Sequence, residues 1–442
     1  MGEKSVSIKR LSGAHVPHHK NTTESVPQRI PTPDKVIIPM GMHIGAPCVP
    51  CVKVGDLVKV GQVIGEAGGF VSVPVHASVS GKVTAIDDLQ MGPGGVSKAI
   101  TITADGLQEV AETVVPPVVE NTEQFLAAVR ASGLIGMGGA GFPTVVKFSV
   151  KDPSAVDYLL INGAECEPYI TSDNRAMIDE ADHLIKGALL VKKYVGQKKT
   201  IVCIEDNKPE AIRILTEKVK DIEDFEVMAM PALYPQGGEK VMIHNATGRD
   251  VPEGKLPIDV GCIVSNVNSL VFVSKYIETG MPLVEKSCTI DGSAIANPQN
   301  IIAPIGTPIN KLVEFCGGYK AEPRKITYGG PMMGMAVPND NYPLLKNNNA
   351  ILVFAEKEAT LAPTTACIRC GRCIAACPIN LMPANIERAY KAGDVDKLNK
   401  LKVMLCMECG CCSFVCPAKR ELVLVNKLSK GLVKAAAAAQ KK

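Results

Sequence analysis

Tryptophan is absent from this chain of 442 residues, and all aromatic residues together make up only 4% of it. No stretch approaches the roughly 18 apolar residues that a membrane-spanning helix needs. The start, Met1-Gly2-Glu3-Lys4-Ser5, leads into serine and histidine without the apolar core of a signal peptide. The expectation is a chain that is not secreted and does not cross a bilayer by itself. Excess charge of one sign is missing too: 48 Lys and Arg stand against 45 Asp and Glu. No basic stretch is studded with aromatics, so composition gives no sign of a nucleic-acid partner. A disulfide framework is also lacking. Of sixteen cysteines, eight fall in two ordered runs, and the others (Cys48, Cys51, Cys166, Cys203, Cys262, Cys288, Cys316, Cys411) follow no framework spacing, which points to a reducing compartment.

The two runs are Cys367-x2-Cys370-x2-Cys373-x3-Cys377-Pro378 and Cys406-x2-Cys409-x2-Cys412-x3-Cys416-Pro417. Each supplies three thiolates in even steps, suited to three corners of a cubane. In two-cluster ferredoxins the fourth cysteine, followed by proline, reaches across to the other cluster. The expected ligand sets are therefore Cys367, Cys370 and Cys373 with Cys416, and Cys406, Cys409 and Cys412 with Cys377, holding two [4Fe–4S] clusters. A zinc site would use two separated pairs and leaves the triplets unexplained. Cys411, inside the second run, breaks the spacing that Cys412 keeps. Cys48-x2-Cys51, with His43 and His18, reads either as half a metal site or as two small residues of a β-rich domain.

At 46% hydrophobic content the chain can bury real cores, and its length suggests about three domains. After a polar leader, residues from about 35 to 105 alternate Val/Ile runs with glycine turns, the pattern of a small β sandwich or barrel. Val114-Val-Pro116-Pro117 reads as a linker. Beyond it, Asn121 with Gln124 caps a helix; a strand follows at Tyr158 to Asn162, one helix from about 175 to 194, a strand from Thr200 to Ile204, a helix from Pro209 to Val219 and a strand from Phe225 to Met230. Alternation of this kind predicts a mainly parallel sheet. Residues 270 to 355 return to short strands with one helix at Pro308 to Phe315. The last segment holds the cysteine runs with helical sequence between them. There, Glu421 to Val433 sets Leu424 or Val425, Leu428 and Leu432 on one face, for a membrane partner, a lipid interface or its own cluster domain, and Ala435 to Ala439 with the terminal lysines reads as a frayed tail.

A second local signal is Gly136-Met137-Gly138-Gly139-Ala140-Gly141-Phe142-Pro143-Thr144 with Lys147. Glycines let backbone N–H groups approach a phosphate, and a lysine adds charge. The loop lacks the Gly-Lys-Ser/Thr ending of a P-loop and follows a predicted helix, not the strand of a Rossmann fingerprint.

"GMGGAGFPTVVKF" resembles the flavin loop of the NADH/FMN-binding subunit of respiratory complex I, G-R-G-G-A-G-F-P-T-G-x-K-W. Further stretches match in order: "NGAECEP" and Asp173, "GGEK" at Gly237 to Lys240, "SNVNSL" at Ser265 to Leu270, and "GTPINKLVEFCGG", which is similar to a soluble-ligand-binding β-grasp (SLBB) module. The front domain is similar to a biotinyl/lipoyl-type barrel-sandwich, but no lysine lies between Lys59 and Lys82, so no swinging arm can be attached and the domain reads as a scaffold. The whole resembles the C subunit of the Rnf complex, a membrane-bound ferredoxin:NAD oxidoreductase. The resemblance implies a multidomain α/β protein with a barrel-sandwich domain and leader at 1–110, an FMN/NAD-binding α/β domain at 118–268, an SLBB module at 269–356 and a helical two-cluster ferredoxin domain with tail at 357–442.

It further implies FMN on the loop (Gly136, Gly138, Gly139, Ala140, Gly141, Phe142) and Lys147, with Asn162, Glu165, Glu167, Asp173, Glu239 and Asn266 lining the FMN and NADH site. Met137, Ala164 and Lys240 depart from the family pattern. Glu165 and Glu167 also read as strand-end caps. Implied partners are NADH or NAD, the other membrane and ferredoxin-like Rnf subunits, and ferredoxin indirectly, with membrane contact through those subunits on the cytoplasmic side of the cell membrane. A nicotinamide exchanges a hydride pair and a cluster single electrons, so a flavin between them is a chemical requirement. A cobalamin reductase-like flavin and iron–sulfur protein and a non-catalytic wiring scaffold are the rival readings; a front domain about a hundred residues long ahead of the loop favours Rnf over the former.

Overall fold

The computed structural model describes residues 11–92 and 95–440. Residues 35–104 form two antiparallel sheets. One has the order Lys35–Pro39, Val96–Ala104, Gly81–Gln90, Leu57–Val58, the other Val49–Pro50, Val63–Glu66, Val75–His76. Alternation along these short strands sends Val36, Ile38, Ile64, Val75, Val83, Ile100 and Ile102 inward, giving the expected barrel-sandwich.

The central layer is a four-stranded parallel sheet in the order Phe225–Met230, Lys199–Glu205, Tyr158–Gly163, Cys262–Asn266. Both faces are covered, so its strands read as continuous apolar runs. Leu159, Ile161, Val202, Ile204 and Ile263 point to the main core. Their neighbours Leu160, Ile201, Cys203, Cys262 and Val264 pack on Met242 and Ile243 of the Glu239–Thr247 helix. Asn121 caps the Thr122–Ala131 helix by accepting from Gln124 N at 2.9 Å, as its sequence indicates.

Three elements differ from the sequence reading. The helix expected from 175 to 194 is two, Ser172–Asp179 and Ala181–Val195, because Glu180 takes φ −120°, ψ 23° and its carboxylate meets Lys275 Nζ at 2.7 Å. The Val267–Thr279 helix starts where Asn266 Oδ1 accepts Asn268 N at 2.9 Å and packs along Ala181–Val195, so the boundary drawn between 268 and 269 falls inside a helix of the α/β layer. Alanine is the strongest helix former, and Ala435–Ala439 is the last stretch of the Leu422–Ala439 helix rather than a frayed tail. That helix packs on its own domain through Leu422, Asn426, Ser429 and Val433 and leaves Leu424 and Leu428 exposed. Lys441, Lys442 and the start Met1–Ser5 lie outside the described residues.

The third module is a six-stranded mixed sheet, Gln28–Arg29, Gln299–Pro304, Glu285–Asp291, Ala350–Phe354, Lys325–Tyr328, Met335–Val337, with the Ile309–Phe315 helix. Its first strand comes from the leader. That segment belongs to the folded body: Ala14 pairs with Tyr234, Asn300 Nδ2 donates to Thr22 O at 3.0 Å, and Lys20 Nζ donates to the carbonyls of Glu165 (2.8 Å), Glu167 (2.9 Å) and Ile170 (2.6 Å). No local pattern in residues 11–30 announces these contacts, because every partner lies more than a hundred residues away.

Lys20→Met strands three carbonyls that accept from a charged donor. We expect a loss of about 2–3 kcal/mol, read as a shift in the midpoint of chemical denaturation.

Candidate functional site

The sheet order makes Tyr158–Gly163 the turning point of the chain path, and in open α/β sheets ligands bind beyond the carboxyl ends of the strands at such a point. Here the carboxyl ends of Tyr158–Gly163 and Cys262–Asn266 meet the glycine loop. Gly136 N donates to Phe142 O at 2.8 Å and closes the loop, so Gly138, Gly139 and Ala140 stand exposed at its tip. A Cβ on Gly138 would lie 2.5 Å from Asn266 Nδ2 and displace that side chain, and Gly141, at φ +68°, takes a conformation that favours glycine. The front domain buttresses the loop through Ile44 N to Gly141 O (3.2 Å). The third module does so through Asn347 Nδ2 to Gly139 O (3.0 Å), and Met137 N is held by Ser269 Oγ (3.3 Å).

Around the crevice Asn162 Nδ2 donates to Gly237 O at 2.8 Å. Lys147 Nζ reaches Val264 O at 3.0 Å and the Glu239 carboxylate at 3.5 Å. Asn266 and Asn268 both donate to the buried Asp173 carboxylate, at 2.8 and 2.7 Å. Exposed loop amides, the N-termini of the helices beginning at Glu239 and Val267, and Lys147 form a cradle that suits a phosphate-bearing flavin.

Of the two readings open to Glu165 and Glu167 in the sequence, their contacts fit the capping one. The Glu165 carboxylate is buried and accepts from Asp173 N (2.6 Å) and Asn174 N (3.2 Å), capping the Ser172–Asp179 helix. Burial holds this carboxyl above its usual range, opposed by the charge of Lys20. Glu167 accepts from Met332 N (3.0 Å) and Met333 N (2.8 Å), and burial pushes it up to about 6 against those two donors. Both shape the crevice wall by tying backbone. Lys20, Lys208, whose Nζ donates to Ala164 O at 2.6 Å, Asn268 and Asn347 were missed; Asn268 alone stands inside a recognised stretch.

In the cluster domain Cys377 sits among Cys406, Cys409 and Cys412, and Cys416 beside Cys373 and Cys367; Cys370 lies exposed on the same stretch as Cys367. The fourth cysteine of each run is thus next to the other run's triplet. The first of these sets lines a small pocket shared with Pro378, Leu381 and Asn426. Among the described residues no three His, Cys, Asp or Glu side chains converge on one metal ion. Backbone conformation repeats at an offset of 39: Arg369 and Glu408, Gly371 and Gly410, and Asn380 and Lys419 all have positive φ. The Cys411 thiol lies against Cys409 and lines the same space, and it is also directed at Tyr234 O at 3.6 Å. Cys48 and Cys51 send their sulfurs to different carbonyls, Val73 O and Val63 O; His43 Nε2 lies 3.6 Å from Cys48, and His18 instead approaches Asn207.

Comparison with known proteins covers nearly the whole chain. Family descriptions match in sequence: an RnfC barrel sandwich hybrid domain at 9–107, a Nuo51 FMN-binding domain at 129–275, an SLBB domain at 288–336 and a 4Fe-4S dicluster domain at 361–417. The C subunit of the Na(+)-translocating ferredoxin:NAD(+) oxidoreductase complex of Acetobacterium woodii is 41% identical over 95% of this chain and 95% of its own length. Its counterpart in the proton-translocating ferredoxin:NAD(+) oxidoreductase complex of Clostridium ljungdahlii is 42% identical over 85% of this chain and 83% of its own. An NAD+-reducing [NiFe]-hydrogenase structure covers 72% of this chain and 54% of its own at 20% identity and a TM-score of 0.47, too low to carry an argument.

Two outcomes check the site. Gly138→Val must push Asn266 aside, and flavin released on denaturation should fall well below wild type while the iron content holds. Cys411→Ala should keep about eight irons per chain and Cys412→Ala should drop to about four, by colorimetric iron assay.

Proposed function

We propose a function from one premise: this chain belongs to the family of C subunits of ion-translocating ferredoxin:NAD(+) oxidoreductase complexes. It is the peripheral electron-transfer subunit of such a membrane complex, exchanging electrons between two [4Fe–4S] clusters, FMN and NAD(H), with ion translocation coupled by its partner subunits. Among the described residues no helix is long and apolar enough to cross a membrane, so partner subunits make the membrane contact. We place the chain on the cytoplasmic side, where nicotinamides and ferredoxin are available.

The observation that carries this reading is that the crevice and one cysteine set share a wall: Gly237, which accepts from Asn162, also donates to Cys166 Sγ at 3.4 Å, and Cys166 packs in one core with Cys409. When bound, a flavin takes up a hydride pair and releases single electrons, which clusters carry. The protein's residues bind and orient. Gly138, Gly139, Lys147 and the two helix N-termini would hold the flavin phosphate; Asn162, Glu239 and Asn266 line the crevice in which flavin and nicotinamide would meet. Glu165, Glu167 and Asp173 hold its walls through backbone and side-chain amides. No acid or nucleophile is required of the chain.

Purified protein carrying FMN and both clusters should oxidise NADH with an artificial one-electron acceptor such as ferricyanide, and the same protein stripped of flavin should not. A holoprotein that retains FMN and leaves NADH untouched would favour the scaffold reading.

A further inference from the structure

The two cysteine sets have different surroundings. The set of Cys377, Cys406, Cys409 and Cys412 is built into the seam with the α/β domain. The Tyr234 hydroxyl donates to Cys409 O at 2.7 Å, the Cys411 thiol is directed at Tyr234 O, and Tyr234, Cys409 and Cys411 share a buried core with Cys166, Met332 and Met407. The seam is close at Gly410, where a Cβ would lie 2.9 Å from Met332 O, and the Met407 side chain packs over Gly238. From Cys166 the contact runs through Gly237 to Asn162 and so into the crevice.

The other set lies away from that seam. Cys367 and Cys370 sit on the stretch 360–372, which is exposed throughout. Thr365 N donates to Ala418 O (3.0 Å), Arg420 Nη1 donates to Thr365 O (2.9 Å), and Arg420 pairs with Glu387: these anchors all belong to the cluster domain itself. Surface side chains beside it include Ile368, 68% exposed, and Leu361, 73% exposed, with Arg369 and Arg372 next to the cysteines.

We infer that the two clusters have fixed places in the relay: the seam cluster on Cys377, Cys406, Cys409 and Cys412 exchanges electrons with the flavin crevice, and the cluster on Cys367, Cys370, Cys373 and Cys416 is the terminal that faces a protein partner. Tyr234 is a positioning residue that fixes the seam cluster against the crevice wall. The inference rests on the function proposed above. In the NAD-reducing direction a one-electron protein donor of the complex delivers two electrons in turn through the exposed cluster and then the seam cluster; with one proton they leave the crevice as the hydride of NADH. In the opposite direction one hydride yields two single electrons for that partner and one proton.

The test uses the whole protein with FMN bound and compares Cys370→Ala, which removes one cluster, with Cys406→Ala, which removes the other without touching Tyr234. Iron content and thermal melting establish that each variant is folded with a single cluster. Each is reduced with dithionite, freed of reductant and mixed with NAD+, and cluster reoxidation is followed by freeze-quench electron paramagnetic resonance. Cys370→Ala should be reoxidised at the wild-type rate. Reoxidation by NAD+ should fall by at least an order of magnitude in Cys406→Ala, although ferricyanide still reoxidises its cluster at once. Tyr234→Phe should move the midpoint potential of the cluster that Cys406→Ala lacks and leave the other in place. Equal rates in the two variants, or the reverse order, overturn the assignment. Wild-type protein with FMN that NAD+ fails to reoxidise at all overturns the proposed function itself, and the assignment with it.

Discussion

Lys20 places an ammonium group among three backbone carbonyls of the 163–170 loop, and the geometry of both redox halves follows from the shape of that loop. Glu165 and Tyr169 adopt positive φ there, +48° and +71°, conformations that non-glycine residues hold only when their surroundings enforce them. With the loop so bent, Glu165 faces the start of the Ser172–Asp179 helix and brings Asp173 to Asn266, which touches the glycine loop. In the opposite direction Glu167 reaches the backbone of Met332 and Met333, and Cys166 enters the core around Cys409. One cation thus organises a flavin wall on one side and a cluster wall on the other.

The same device recurs. Lys208 donates to Ala164 O, and the buried Lys346 donates to Pro74 O and Gly133 O, stapling the front domain, the start of the glycine loop and the third module together. Carbonyls are good acceptors for a buried ammonium because they supply partial negative charge without a second ion to desolvate. The front domain, without a carrier lysine, acts as a buttress: it supports the loop at Gly141 from one side while Asn347 supports Gly139 from another.

What the sequence discloses and what it conceals divide along the range of the interaction. The cysteine runs, the Asn121 cap and the alternation of strand and helix are local and legible, since spacing and period alone carry them; the glycine loop is local too, but its resemblance to a flavin loop is what gives it a meaning. Lys20, Tyr234 and Asn347 act across more than a hundred residues each, and nothing beside them in the chain marks them. Glu165 and Glu167 are open to two readings in the sequence, site lining or cap, and the fold supplies the backbone amides that their oxygens accept from. The split at Glu180 escapes periodicity because the apolar stripe continues across the break.

Positive φ at Arg369 and Glu408, Gly371 and Gly410, and Asn380 and Lys419 means that the two cysteine runs repeat the same backbone turns. Equal ligands on the same turns leave a difference in reduction potential to the surroundings. One side offers an amide from Asn426 to the Cys406 sulfur at 3.5 Å and Lys430 at the Cys406 carbonyl; the other offers the charge of Arg420 and open water. Duplication has made the pair interchangeable in chemistry, and the direction of the voltage drop between them is written entirely in the residues that the duplication did not copy.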